Sequence, residues 1–119
     1  MYKFWGKVKK HNQRGKTLGF PTANINLNKK IAEGIYISTL KIENKVYPSL
    51  TFVGKAKTFN EIKFQAETYI LDFKKDLYGS WITVELLKKI RGNKKFNSEK
   101  ELISQMKKDE TVARKYFTP

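Results

Sequence analysis

The chain has 119 residues, 39% of them hydrophobic, so one packed domain spanning 1–119 is expected rather than a disordered polymer. Cysteine is absent, which excludes disulfides, thiolate metal sites and a cysteine nucleophile. No run approaches the roughly 18 apolar residues of a membrane span, and Met1–Gly6 lacks the apolar stretch of a secretory signal. The expectation is therefore a cytoplasmic protein without membrane contact.

The formal charge is +14. Of the 25 basic residues three are arginine (Arg14, Arg91, Arg114), leaving 22 lysines, many in scattered pairs. Arginine is the usual residue for bidentate base and phosphate recognition, so a nucleic-acid partner is not expected. A positive field still attracts a small polyanion.

In chain order, Phe4–Lys9 has the pattern of a first strand, and Lys10–Thr17 that of an exposed loop. Gly34–Lys45 and Val46–Val53 predict a hairpin turning around Glu43-Asn44-Lys45. Phe64–Phe73 and Trp81–Ile90 are the clearest strands, flanking a turn that carries Asp76 and Gly79. The last element is a helix, capped by Asn97 or Ser98, with Ser98-x-x-Glu101 at capping-box spacing. Leu102, Met106, Ala113 and Phe117, with Ile103 and Tyr116 beside them, form its apolar face. Short antiparallel strands followed by one amphipathic helix predict a small closed barrel with the helix packed on it.

Three segments have the makings of a site. Gly15-Lys16-Thr17-Leu18-Gly19-Phe20-Pro21-Thr22-Ala23-Asn24 is too rich in glycine and proline for a regular strand or helix interior. In an extended backbone Thr22 and Asn24 present a hydroxyl and an amide oxygen to one face, a donor pair suited to Mg²⁺ with nucleotide phosphates. On spacing alone, an ordinary Gly/Pro turn leading into a strand is the better account of the segment. Glu67 alternates onto one face with Tyr69 and Leu71, leaving Ala66, Thr68 and Ile70 on the other. That places its carboxylate either at the mouth of a pocket or at an exposed strand end. In a pocket it suits a base that accepts the proton of an attacking hydroxyl. Arg91-Gly92-Asn93-Lys94-Lys95-Phe96 is either a cover for a flat, phosphate-bearing ligand or a solvated connection.

Taken together and in this order, the segments resemble the riboflavin kinase (flavokinase) family from Gly6 to about Arg114. The resemblance rests on Gly6-x-Val8, the string from Arg14 to Asn24, Gly34-Ile35-Tyr36, Gly54 and Thr58-Phe59. It continues through Glu67, Leu71-Asp72-Phe73, Asp76-Leu77-Tyr78-Gly79, Arg91, Lys94-Lys95-Phe96 and the helix with Asp109. It implies a mainly β fold: a six-stranded antiparallel Greek-key barrel with a C-terminal helix. It also implies transfer of the ATP γ-phosphate to the terminal ribityl hydroxyl of riboflavin, giving FMN and ADP. Thr22 and Asn24 are then the Mg²⁺ and ATP-phosphate residues, Lys16 lies in the flap over ATP, and Glu67 is the base. Arg91, Lys94 and Phe96 fall in the flavin-side flap. Two departures stand out: His11 replaces a glycine, and Phe52-Val53-Gly54-Lys55-Ala56-Lys57-Thr58-Phe59 lacks the asparagine, arginine and proline of the family's string there.

A monomer acting on small molecules is expected, without FAD synthesis. Two alternatives are a non-catalytic flavin-binding module and a basic barrel that stacks single-stranded nucleic acid on Trp5, Trp81 and its tyrosines.

Overall fold

The computed structural model describes residues 2–8, 22–27, 30–58, 61–72 and 78–119. Its elements are β1 (Lys3–Lys7), β2 (Thr22–Leu27), β3 (Gly34–Ile42), β4 (Lys45–Thr58), β5 (Glu61–Ile70), β6 (Trp81–Arg91) and α1 (Glu99–Phe117). The strands pair in the order β1-β6-β3-β4-β5-β2, and every pairing is antiparallel. β3, β4 and β5 follow one another in space as in sequence, and β6 returns to lie beside β3. That arrangement is a Greek key.

β1 and β2 flank the remaining seam, where a Cβ added at Gly6 would lie 2.9 Å from Ile25 Cγ2. Glycine is thus what lets the two strands approach and nearly close the barrel, as the resemblance implied. The short elements expected from the sequence are present with shifted ends. β4 runs on to Thr58, and the hairpin turns at Glu43-Asn44, where Glu43 has φ 56°. One expectation is corrected. Thr22–Asn24 belongs to a regular strand, because its backbone is paired along β5 despite the preceding Pro21.

Each strand buries one face inside the barrel, where Ala23, Ile25, Leu40, Val53, Ala66, Ile70, Val84 and Leu86 pack. The same interior holds a ladder of hydroxyls across β3, β4 and β5. Ser38 Oγ lies 2.7 Å from Ser49 Oγ and 2.8 Å from Thr51 Oγ1, which lies 2.9 Å from Thr68 Oγ1. All four side chains are shut away from water, so these bonds replace the solvent they have lost.

The opposite face of β3, β4 and β5 is covered by α1. Ile35, Ile37, Leu50, Tyr69 and Leu71 pack there against Met106 and Ala113, with Leu102 and Phe117 at the margins. The helical stripe expected from the sequence is therefore packing surface, although Tyr116 is 49% exposed and stands outside it. This second layer explains why the first five residues of β3 are all buried while alternation returns further along. Ser98 caps α1 by accepting from Glu101 N–H. Glu101 reaches back to Asn97 N–H at 3.0 Å, one residue earlier than a standard capping box requires.

Two register shifts interrupt β6 against β3. Ser38 stands opposite Leu86, an alignment that would bring Lys89 to Ile35; after both shifts Arg91 stands there instead. β3 accepts this close passage through Gly34, whose φ is +150° and whose added Cβ would lie 2.7 Å from the Arg91 carbonyl oxygen. The shifts bring Arg91 level with Ile35, which packs on the face that α1 covers.

Candidate active site

Strand register brings together residues far apart in the chain. In the β2–β5 pairing Asn24 stands directly opposite Glu67, and Thr22 opposite Tyr69. On the other side of β5, Phe52 stands opposite Glu67 and Leu50 opposite Tyr69. Glu67 is only 7% exposed, so of the two positions open to its carboxylate the exposed strand end is ruled out. A buried carboxylate needs hydrogen-bonding partners to remain tolerable. Tyr69 Oη supplies one, donating to Glu67 Oε1 at 3.1 Å.

Asn24 is equally buried, and its Nδ2 has no hydrogen-bond partner among the described residues. An orphaned amide beside a carboxylate costs stability unless another group completes it. That pair, with Thr22 two residues before it on β2, is the strongest mark of a ligand in the molecule. No group of three or more His, Asp or Glu side chains gathers among the described residues. The Asn24 amide oxygen suits a hard cation that arrives with phosphate oxygens and keeps waters, and its unpartnered Nδ2 suits an acceptor such as a phosphate oxygen.

Beside this pair is a cavity walled by Ile35, Phe52, Tyr69, Arg91, Lys94, Phe96, Leu102, Met106 and Asp109. It has an apolar floor from the sheet and helix and a charged rim. Its free volume is about 20 Å³, room for a water but not for an aromatic ligand, so the loop at 92–96 has to open for one to enter.

Arg91 anchors that loop. Its Nε and Nη2 donate to Asp109 Oδ1 and Oδ2 at 2.9 and 2.6 Å, and its Nη1 donates to the Gly92 carbonyl at 3.1 Å. Asp109 also accepts from Gln105 Nε2 at 3.0 Å. Farther along the loop, Asn93 Nδ2 donates to Glu33 Oε2 at 3.0 Å, and Glu33 pairs with Lys55 at 3.4 Å. The loop is thus held at its root by a charged clamp and along its length by a lighter latch. Lys55 is the outer member of that latch.

Of the site residues expected from the sequence, Glu67 and Asn24 meet, with Thr22 beside them in register. Arg91, Lys94 and Phe96 meet on the cavity wall, and Tyr69 and Phe52 connect the two groups. Lys16 and His11 lie outside the described residues. Sequence reasoning passed over Tyr69 as a partner of Glu67 and Asp109 as the partner of Arg91. Asp109 carried a signal: it is a charged residue three positions after Met106, on the packed face of α1. Trp5 and Trp81 are 70% and 67% exposed and take no part in the cavity.

The family model described as "Flavokinase: Riboflavin kinase" matches residues 1–117. The chain is 44% identical over 115 residues to a trifunctional RibF/MnmA protein of Mycoplasmoides gallisepticum, covering 94% of this chain and 18% of that protein. It is 38% identical to the bifunctional riboflavin kinase/FMN adenylyltransferase of Escherichia coli K12, covering 94% of this chain and 37% of that protein. It thus spans well under half the length of these relatives. A solved structure described as a macrolide-efflux protein from Streptococcus pneumoniae superposes with a TM-score of 0.86 at 37% identity, over 94% of this chain and 38% of the other. The riboflavin kinase from Trypanosoma brucei superposes with a TM-score of 0.65 at 28% identity, over 96% and 78%.

Proposed function

The chain belongs to the riboflavin kinase family, and we propose on that footing that it transfers the γ-phosphate of ATP to the terminal ribityl hydroxyl of riboflavin, giving FMN and ADP. The observation that carries this reading is the pairing of Asn24 with Glu67 at the edge of the cavity closed by the Arg91–Phe96 loop. One side of that pair adjoins the cavity, which would widen to take a flat aromatic ligand when the loop opens. The other side belongs to β2, which follows directly on the glycine-rich segment containing Lys16.

In this reading the isoalloxazine ring enters between Phe96 and the sheet when the loop opens, and Lys94 stands at the rim. The ribityl chain then runs past Tyr69 towards Glu67. Glu67 orients the terminal hydroxyl and takes its proton as the new P–O bond forms. Asn24 and Thr22 would hold Mg²⁺ and the triphosphate oxygens, and Lys16 would serve the nucleotide, as the family resemblance implies. Bound with the triphosphate, Mg²⁺ offsets the charge on the phosphoryl oxygens. Most of the rate then comes from holding the two substrates in line, with proton removal a smaller share. A cytoplasmic setting, where ATP is plentiful, fits this reading.

The test is incubation with riboflavin, Mg²⁺ and each nucleoside triphosphate in turn, with FMN separated by chromatography. FMN formation that requires Mg²⁺ is expected. Riboflavin that binds and is never phosphorylated points instead to the non-catalytic module. Glu67→Gln should reduce kcat by about 10²–10⁴-fold with riboflavin affinity retained; wild-type turnover in that variant removes Glu67 from the role.

A further inference from the structure

Glutamate has a flexible side chain, and its usefulness as a base depends on its carboxylate pointing one way. In strand register Glu67 stands between Phe52 on β4 and Asn24 on β2. Tyr69 shares its strand and its face, two residues on. The tyrosine is 5% exposed, and a buried phenol needs a hydrogen-bond partner of its own. Its O–H donates to Glu67 Oε1 at 3.1 Å while its ring forms part of the cavity wall. One side chain therefore touches both the space for the aromatic substrate and the carboxylate proposed to act on it.

We infer that Tyr69 is a positioning residue for the phosphoryl transfer, fixing the direction of the Glu67 carboxylate through its hydroxyl and tying that direction to the wall of the flavin cavity. This rests on the kinase reading above. The hydroxyl acts through Glu67 and the ring acts as cavity wall, so the two roles separate in one substitution. Tyr69→Phe keeps the ring and deletes the donor. A charge-assisted bond of this kind, lost only from the reacting geometry, amounts to about a tenfold change in rate.

The experiment measures kcat, KM for riboflavin and riboflavin affinity for the wild type, Tyr69→Phe, Glu67→Gln and the double variant. The expected result is a kcat about tenfold lower in Tyr69→Phe. KM and affinity should stay within about twofold, and Tyr69→Phe should have no further effect in the Glu67→Gln background. Unchanged kcat overturns the inference. So does a loss confined to KM, or an equal loss in both backgrounds, which marks a purely structural effect. Should the wild type make no FMN, the kinase reading fails by itself. The positioning claim is then decided by the NMR resonance of the Glu67 carboxylate carbon, which must move in Tyr69→Phe; an unmoved resonance overturns it.

Discussion

The charged clamp at the root of the loop offers the sharpest test of how this site is held together. In Asp109→Ala the guanidinium of Arg91 keeps its charge and loses the acceptors of two donors. The pair is well shielded: the side chains are 17% and 6% exposed for Arg91 and Asp109, and the contacts measure 2.9 and 2.6 Å. Removing one member of a buried ion pair typically costs 3–5 kcal/mol, and the partial access of water to Arg91 brings this to about 2–4 kcal/mol. For a domain of this size that is a fall in Tm on the order of 10–15 °C. Thermal and urea unfolding report the stability, and riboflavin fluorescence quenching reports the site. Affinity should fall at least about tenfold, because residues 92–96 leave the barrel at Arg91 and lose their anchor on α1. The double variant Arg91→Met with Asp109→Leu should regain most of the stability, since an apolar pair removes the stranded charge. A Tm within about 2 °C of wild type in Asp109→Ala would refute the reasoning, as would a double variant no more stable than the single one.

Two further outcomes follow from groups away from the cavity. Thr51→Val keeps the shape of the side chain but removes the hydroxyl that bonds Thr68 and one of the two that bond Ser38, so it should cost about 1–3 kcal/mol in urea unfolding with riboflavin affinity unchanged. Asp72 is held below the ordinary carboxylate range, chiefly by its hydrogen bonds from Arg114. A folded-state pKa below the unfolded value means stability that is present above about pH 4 and lost as pH falls through the lower folded value. Arg114→Met should therefore flatten the stability profile only at and below about pH 4, by a small amount because the pair is open to solvent. An unchanged profile there removes the pair from acid unfolding.

Much of the architecture was legible because it rests on local rules. Alternation in β5 placed Glu67, Tyr69 and Leu71 on one face, and the Ser98-x-x-Glu101 spacing found the start of α1. β2 was harder: Gly19 and Pro21 weigh against regular structure just before it, and only long-range pairing with β5 makes Thr22–Leu27 a strand. The same pairing places Asn24 against Glu67, which no short-range pattern contains. Arg91 was found by resemblance, but its bond to Asp109 depends on two register shifts in β6 that periodicity does not announce. The site is thus the part of the molecule built most heavily on tertiary register, and residue type alone left each of its segments ambiguous.

The position of the cavity, on the outside of the barrel and under α1, makes it a joint product of sheet and helix. Leu102, Met106 and Asp109 of its wall come from α1, and so does the counter-charge of Arg91. A barrel without the docked helix would lack that wall. On the proposed reading, a flavin held there would therefore stabilise the docked helix by mass action.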